Sequence, residues 1–397
     1  MSKQFLVSTA YYFAIALLAA FVGYLACVKG KRTAIRKIGK DVGELEITRA
    51  KNAINLPLYI MSALIIALPL IFTDKGVDRP TYISLFQTVT LEKIKDIQHQ
   101  EPGFMLINLI LKGIFGTNKY IPFIFYYGLM VFNVYYVIYK LRDKCCIPFS
   151  IFIFFTIYCI QSISLLRIYV AGSILLLASY QLLKNHSVKS LILWLFAISI
   201  HYSSGLFFIV YLITFYYRLL KDKYKIKTIV LLLMLAILFV MAVILIPLME
   251  NFAIIERYKD YLTNVSFTHI GFYQPILYVP LIILSIYFVK LYGNDGHEYI
   301  YMSNLISCFL YGMMSYMIII LGRSFALFMY PFIIGIPYMY KMIKKRNKLC
   351  EKDNSLLLKG EHILSNQIIL VFLVAYILFK FAVYMIGYIE TDGIGIL

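Results

Sequence analysis

Lys184 to Lys227 reads KNHSVKSLILWLFAISIHYSSGLFFIVYLITFYYRLLKDKYKIK, an apolar stretch over 188–217 closed at both ends by basic residues. Lys184 and Lys189 stand at its start; Arg218, Lys221, Lys223, Lys225 and Lys227 follow. One continuous helix over 188–217 would be about 45 Å long at about 1.5 Å per residue, well beyond a hydrocarbon core of about 30 Å. Lys and Arg concentrate on the cytoplasmic side of membrane proteins, so both flanks belong inside. A hairpin of two short helices, 188–200 and 203–217, meets that requirement. It puts His201 at the bend, near the external side.

The rest of the chain has the same character. Of its 397 residues 61% are apolar and 15% charged, against about half and about a quarter in a soluble domain. Further apolar stretches lie near 5–28, 52–72, 121–139, 147–162, 164–184, 226–249, 273–291, 299–320, 323–341 and 365–388. With the hairpin they predict an all-α polytopic membrane protein of about 12 transmembrane helices, within about 10–13, each span taking about 20 residues. No small-residue cleavage site follows the first stretch, so it reads as a retained helix and not a signal peptide. Residues 102–116 are short and interrupted by Lys112, which predicts an interfacial or re-entrant helix within an external loop, 73–120. No Gly/Ser linker or repeat divides the chain, so 1–397 reads as a single transmembrane domain with both termini outside.

The charge distribution tests that topology. Of the 38 Lys and Arg, 26 fall on segments assigned to the cytoplasm, chiefly the basic loops 29–51, 218–227 and 341–364. External segments carry 11, and Lys380 lies inside the last span. A single span over 188–217 would put the clusters after Arg218 and Lys341 on opposite faces from this. The net charge of +18 is therefore the signature of cytoplasmic loops and not of a nucleic-acid surface. Six cysteines without C-x-x-C spacing fit neither a disulfide framework nor a zinc site. His99, His186, His269, His297 and His362 are scattered, and no metal or cofactor is expected.

Asp78, Glu101, Arg167, His201, Arg257 and Arg323 fall at or near the external face in this topology. An arginine near a span end commonly snorkels to the interface, and that alternative stands for each one alone. Three arginines on the face that the positive-inside rule depletes call for another reason. A bound anion supplies it, because guanidinium stays charged and grips phosphate oxygens as a fork. Arg257 stands among Glu256, Lys259 and Asp260, so a solvated charged face competes there.

The external segments carry an ordered series of short motifs. Gly76-Val77-Asp78-Arg79-Pro80-Thr81-Tyr82 is a G-x-D-x-x-x-Y element, and Glu101-Pro102-Gly103-Phe104 with Asn108 is an E-P-G-F-x-x-x-N element. Ser162, Ser164, Arg167, Ala171 and Ser173 open a span, His201-Tyr202-Ser203-Ser204 follows, and Arg323 precedes Tyr330 and Pro331. The series resembles the EpsG-type exopolysaccharide polymerases and the related Wzy-type O-antigen and capsule polymerases, over about 73–217 and again near 250–340. Two positions depart from the family pattern: Lys75 stands where an arginine often precedes G-x-D, and Ile168 where glutamine often follows the arginine.

The resemblance implies an enzyme of the bacterial cytoplasmic membrane that polymerises oligosaccharide repeat units carried on undecaprenyl pyrophosphate, at the outer face and without a metal. A flippase and a chain-length regulator are then expected partners, beside membrane lipid. Such chemistry needs a base for the acceptor hydroxyl and a cation for the departing pyrophosphate. Arg167, Arg257 and Arg323 are the expected phosphate residues, with Glu101 and Tyr82 as further substrate contacts. His201 is placed ahead of Asp78 as the base. Each has a structural alternative: a helix cap or a hydroxyl partner for His201, a plain loop for Asp78, and a helix start for Glu101 before Pro102. A glycan ligase, another polyprenyl-linked glycosyltransferase, or a lipid-linked sugar transporter are the competing functions. A transporter would show repeats and charges along a midplane path.

Overall fold

The computed structural model describes residues 3–36, 50, 52–95, 101–211, 273–292, 304, 306–308, 326–350, 356–389 and 393–395. Every element among them is helical. In chain order they are α1 (Lys3–Arg36), α2 (Leu56–Phe72), α3 (Arg79–Thr88), α4 (Leu91–Lys95), α5 (Pro102–Phe115), α6 (Ile121–Lys140), α7 (Ile147–Ser162), α8 (Leu166–Leu183), α9 (Ser187–Ile200), α10 (Tyr273–Tyr292), α11 (Phe332–Cys350) and α12 (Leu356–Tyr388). Short 3₁₀ turns cover Tyr202–Phe207 and Ala326–Met329. Five stretches are long and apolar enough to cross a membrane: Gln4–Arg36, Ile121–Lys140, Leu166–Leu183, Ala326–Lys345 and Gln367–Gly387. Shorter apolar helices include α2, α5, α7 and α9. The expected spans 226–249 and most of 299–320 lie outside the described residues.

The chain divides into two compact units: Met1–Thr88 with Leu111–Ser173 and Phe332–Leu397, and Val89–Ile110 with Ile174–Pro331. In the first, α1 packs on α2, α7 and α12, α2 on α6, and α11 on α7 and α12. The buried face of α1 is small: Ala16, Ala19 and Ala26 are fully buried. Small residues let backbones approach closely where no hydrophobic effect drives helices together. Polar side chains between these helices find partners in the bundle. Ser62 donates to the Ala19 carbonyl at 2.8 Å, the Tyr59 hydroxyl to the Tyr135 carbonyl at 2.8 Å, and Asn133 Nδ2 to Ser173 Oγ at 3.2 Å. An unsatisfied polar group in hydrocarbon would cost several kcal/mol.

Local sequence explains most boundaries. Asn55 caps α2, accepting the Leu58 N–H at 3.3 Å, and proline stands in the first turns of α2, α6 and α7, where its missing N–H is harmless. A π-turn over Phe154–Cys159 widens the middle of α7. Within the span expected over 323–341, Ala326–Met329 form a 3₁₀ turn and α11 starts after Pro331, because proline removes a helical donor and clashes with the preceding turn. The basic segment 341–364 is also less of a loop than its charge suggests. α11 continues to Cys350 and α12 begins at Leu356, since Lys, Arg and Leu are good helix formers. Lys341 even turns inward, donating to the Arg142 and Cys145 carbonyls at 2.9 and 3.3 Å.

In the second unit the expected bend at His201 is present. α9 ends at Ile200, and His201 is extended, with φ −153° and ψ 117°. The chain then doubles back over Trp194, whose indole N–H donates to the Ser204 carbonyl at 2.8 Å. Trp194 also lies 6.3 Å from the Phe207 ring and 5.1 Å from the Tyr211 ring. The second arm is described as far as Tyr211. α5 is the short helix expected near 102–116. Its 14 residues span about 21 Å at about 1.5 Å each, too little to cross.

Candidate functional site

The second unit brings two of the expected residues together. Glu101 stands immediately before α5, its carbonyl accepting the Met105 N–H at 3.1 Å. His201 closes α9, its N–H donating to the Ala197 carbonyl at 2.9 Å. Glycine at 103 allows the two helix ends to meet: a Cβ there would fall 2.2 Å from Ser199 Oγ. The result is a contact of 3.0 Å between His201 Nδ1 and Glu101 Oε1. The two side chains are 16% and 5% exposed, dry enough to strengthen the interaction, with the imidazole the more accessible of the two. The carboxylate sits at the N-terminal end of α5, where helix partial charge favours an anion. With an ionised Glu101 the bond runs from Nδ1–H to the carboxylate. Nε2 is then the ring nitrogen left to accept a proton.

The first unit assembles a second group. Asp78 ends the turn before α3, and its carbonyl accepts the Tyr82 N–H at 3.0 Å. Tyr82 is 4% exposed, and the Arg167 guanidinium lies 5.6 Å from the centroid of its ring, within cation–π range. Burial pushes the Tyr82 phenol above its usual range, and Arg167 opposes that shift while Asp78 adds to it. The phenol is thus a neutral hydrogen-bonding group at physiological pH and not a base. Three residues from two sequence motifs therefore form one cluster: Asp78, Tyr82 and Arg167.

Arg79, next to Asp78, does something different and was not singled out by sequence. It is 2% exposed. Its two terminal nitrogens donate to the Leu70 and Ile71 carbonyls at 3.3 and 2.6 Å, and Cζ lies 3.6 Å over the Phe123 ring. Those carbonyls belong to the last turn of α2, which lacks intrahelical donors. Arg79 is a side-chain cap. Burial lowers its affinity for the proton, with Tyr127 and Asp74 opposing. The hint in sequence was an arginine soon after a helix that ends without a glycine. Beside it an open cleft of about 270 Å³ is lined by Asp74, Arg79, Pro80, Ile83, Ser84 and Gln87.

Arg257 and Arg323 lie outside the described residues. Among the described residues, no three His, Cys, Asp or Glu side chains come together in a way that could hold a metal ion. The EpsG family model matches residues 57–393, most of the chain and every residue named above. No curated protein matches, and no solved structure matches.

Proposed function

The chain belongs to the EpsG family, and from that premise we propose that it polymerises undecaprenyl-pyrophosphate-linked oligosaccharide repeats into a surface polysaccharide at the outer face of the cytoplasmic membrane. Family membership supports a polysaccharide polymerase acting as a membrane glycosyltransferase. The observation that carries the finer reading is the Glu101–His201 contact. A histidine held at Nδ1 by a buried carboxylate is oriented, with the proton acceptor directed at whatever approaches Nε2.

The chemistry follows from those groups. The acceptor sugar hydroxyl gives its proton to His201 Nε2 as its oxygen attacks the anomeric carbon of the donor chain. The bond from that carbon to the carrier pyrophosphate breaks, and the pyrophosphate takes both electrons. Glu101 keeps the imidazole in one tautomer and steadies the imidazolium that forms. Arg167 is the described candidate for the charge that develops on the leaving group, since a fixed guanidinium in a partly dry site needs no reorganisation. Asp78 is the competing base, because it shares a cluster with Arg167 and Tyr82. The proton then returns from His201 to water or to the released carrier.

Replacing His201 by glutamine decides between the bases. Glutamine keeps hydrogen-bonding capacity but cannot take up a proton near neutrality. Polymer should fall by about two orders of magnitude or more, while carrier-linked single repeats accumulate and membrane abundance stays normal. Near-normal polymer from His201→Gln would move the base role to Asp78. Loss of repeat-unit delivery, with no external single repeats at all, would favour a transporter.

A further inference from the structure

The Asp78–Tyr82–Arg167 cluster rests on a loop that is gripped from two sides. Gly76, two residues before Asp78, has φ +107°, and a Cβ there would lie 2.4 Å from the Ile163 carbonyl oxygen. Only glycine fits against that carbonyl, which itself lies four residues before Arg167. On its other side the Gly76 N–H donates to the Gly393 carbonyl at 3.0 Å. Gly393 belongs to a short segment after α12, far from this loop in sequence.

That segment is anchored independently of the loop. Ile394 is fully buried, and Ile389 is 4% exposed. The Ile394 N–H donates to the Ile389 carbonyl at 3.2 Å, and the Ile394 carbonyl accepts the buried Tyr12 hydroxyl of α1 at 2.9 Å. A Cβ on Gly393 would also touch the Val77 side chain at 3.4 Å. Segments beyond the last helix of a domain are ordinarily loose unless tied down. This one is tied by a buried side chain, two backbone–backbone hydrogen bonds, one of which reaches the motif loop, and one from the Tyr12 hydroxyl.

We infer that Gly393-Ile394-Gly395 is a positioning segment of the Asp78–Tyr82–Arg167 cluster: a strap that holds the Gly76–Asp78 loop against Ile163. None of its residues touches substrate. Its effect passes through Gly76 to Asp78, whose carbonyl receives the Tyr82 N–H, and so to the ring beneath Arg167. The catalytic consequence rests on the polymerase reading, whereas the strap itself does not. Displacement of a reacting group by about 1 Å can cost about 100-fold in rate.

The test uses the full chain in a background without native cysteines. Val77→Cys with Gly393→Cys should form a disulfide under mild oxidation, since a Cβ at 393 would lie 3.4 Å from the Val77 side chain, although φ of +61° at Gly393 strains any side chain there and keeps the yield partial. Ile394→Asp should lower kcat for polymerisation by about 10–100-fold with little change in KM, and Ile394→Val should restore it. Oxidation should recover most of the loss when the cysteine pair is combined with Ile394→Asp. Should Ile394→Asp fail to reach the membrane, Tyr12→Phe, which removes one buried hydrogen bond, should still lower kcat several-fold at normal abundance. Absence of the cross-link, wild-type kcat in Ile394→Asp or in a well-expressed Tyr12→Phe, or a cross-linked enzyme that works only after reduction would each overturn the strap. Cross-linking needs no activity, so a wild-type chain that makes no polymer would sink the polymerase reading without altering the cross-linking result.

Discussion

The Glu101–His201 pair and the Asp78–Arg79–Tyr82–Arg167 region are both built from motif residues, yet they use charge in different ways. In the pair, an acid and an imidazole from two helix ends meet directly at 3.0 Å. The carboxylate is nearly buried and lies against the imidazole. In the other region two arginines divide the labour. Arg79 turns inward and caps two carbonyls of α2. Arg167 instead lies 5.6 Å from the centroid of the Tyr82 ring. The lesson is that an arginine in a motif says little until its donors are traced. Arg79 and Arg167 look alike in a charge count and are opposites in the fold.

Within the arginine region, the largest expected effect falls on Arg167. Lysine keeps the charge but loses the planar fork, so Arg167→Lys should lower polymerisation by about 100-fold, typical for a group that stabilises developing charge. Carrier-lipid binding assays should show weakened affinity for the pyrophosphate form. A lysine variant with wild-type polymer length would make Arg167 an interfacial anchor and erase its contrast with Arg79.

Arg79 should respond in stability instead. Arg79→Met removes the cap from two buried carbonyls and should destabilise the chain by about 2–4 kcal/mol, hydrogen bonds to charged groups being worth about 1.5–3 kcal/mol each. Thermal unfolding in detergent would show the loss, while kcat per folded molecule should change little. A normal melting temperature with a collapsed kcat would transfer Arg79 to the chemistry. Smallest is Tyr82→Phe, expected to lower kcat a few-fold by removing one hydroxyl. Because burial raises the phenol above its usual range, its proton is lost only above pH of about 10. The alkaline side of the pH profile should therefore be the same in wild type and Tyr82→Phe up to that point. A new inflection below it would mean that the phenol ionises during turnover.

Much of the architecture was readable from residues because the membrane imposes it. The apolar lengths and the Lys/Arg asymmetry predict helices where α1, α6, α8 and α12 stand. The basic flanks of 188–217 alone predict the break at His201. Charge counting could not see that Lys341 turns inward to two carbonyls, since that depends on where the α6–α7 turn lies. Asp78 and Tyr82 meet through a local turn of α3, so their neighbourhood was implicit in the G-x-D-x-x-x-Y spacing. Arg167 joins them from a span 85 residues further on, and no periodicity announces such a contact. Glu101 and His201 are 100 residues apart. The only local trace of their meeting was Gly103, whose missing Cβ admits Ser199. Sequence reading assigned Glu101 to the substrate; the structure adds the contact of its carboxylate with His201.

The central claim is that Glu101 acts through His201, and a double-mutant cycle on the single-turnover polymerisation rate tests it most directly. Purified chain in proteoliposomes, supplied with carrier-linked repeats, would be compared as wild type, Glu101→Gln, His201→Gln and the double variant. Glu101→Gln should cost about 10–100-fold and His201→Gln about 100-fold or more. The double variant should be no slower than His201→Gln alone, because an orienting group has nothing left to orient. Multiplicative losses in the double variant would contradict the pairing and return Glu101 to an independent contact with the glycan.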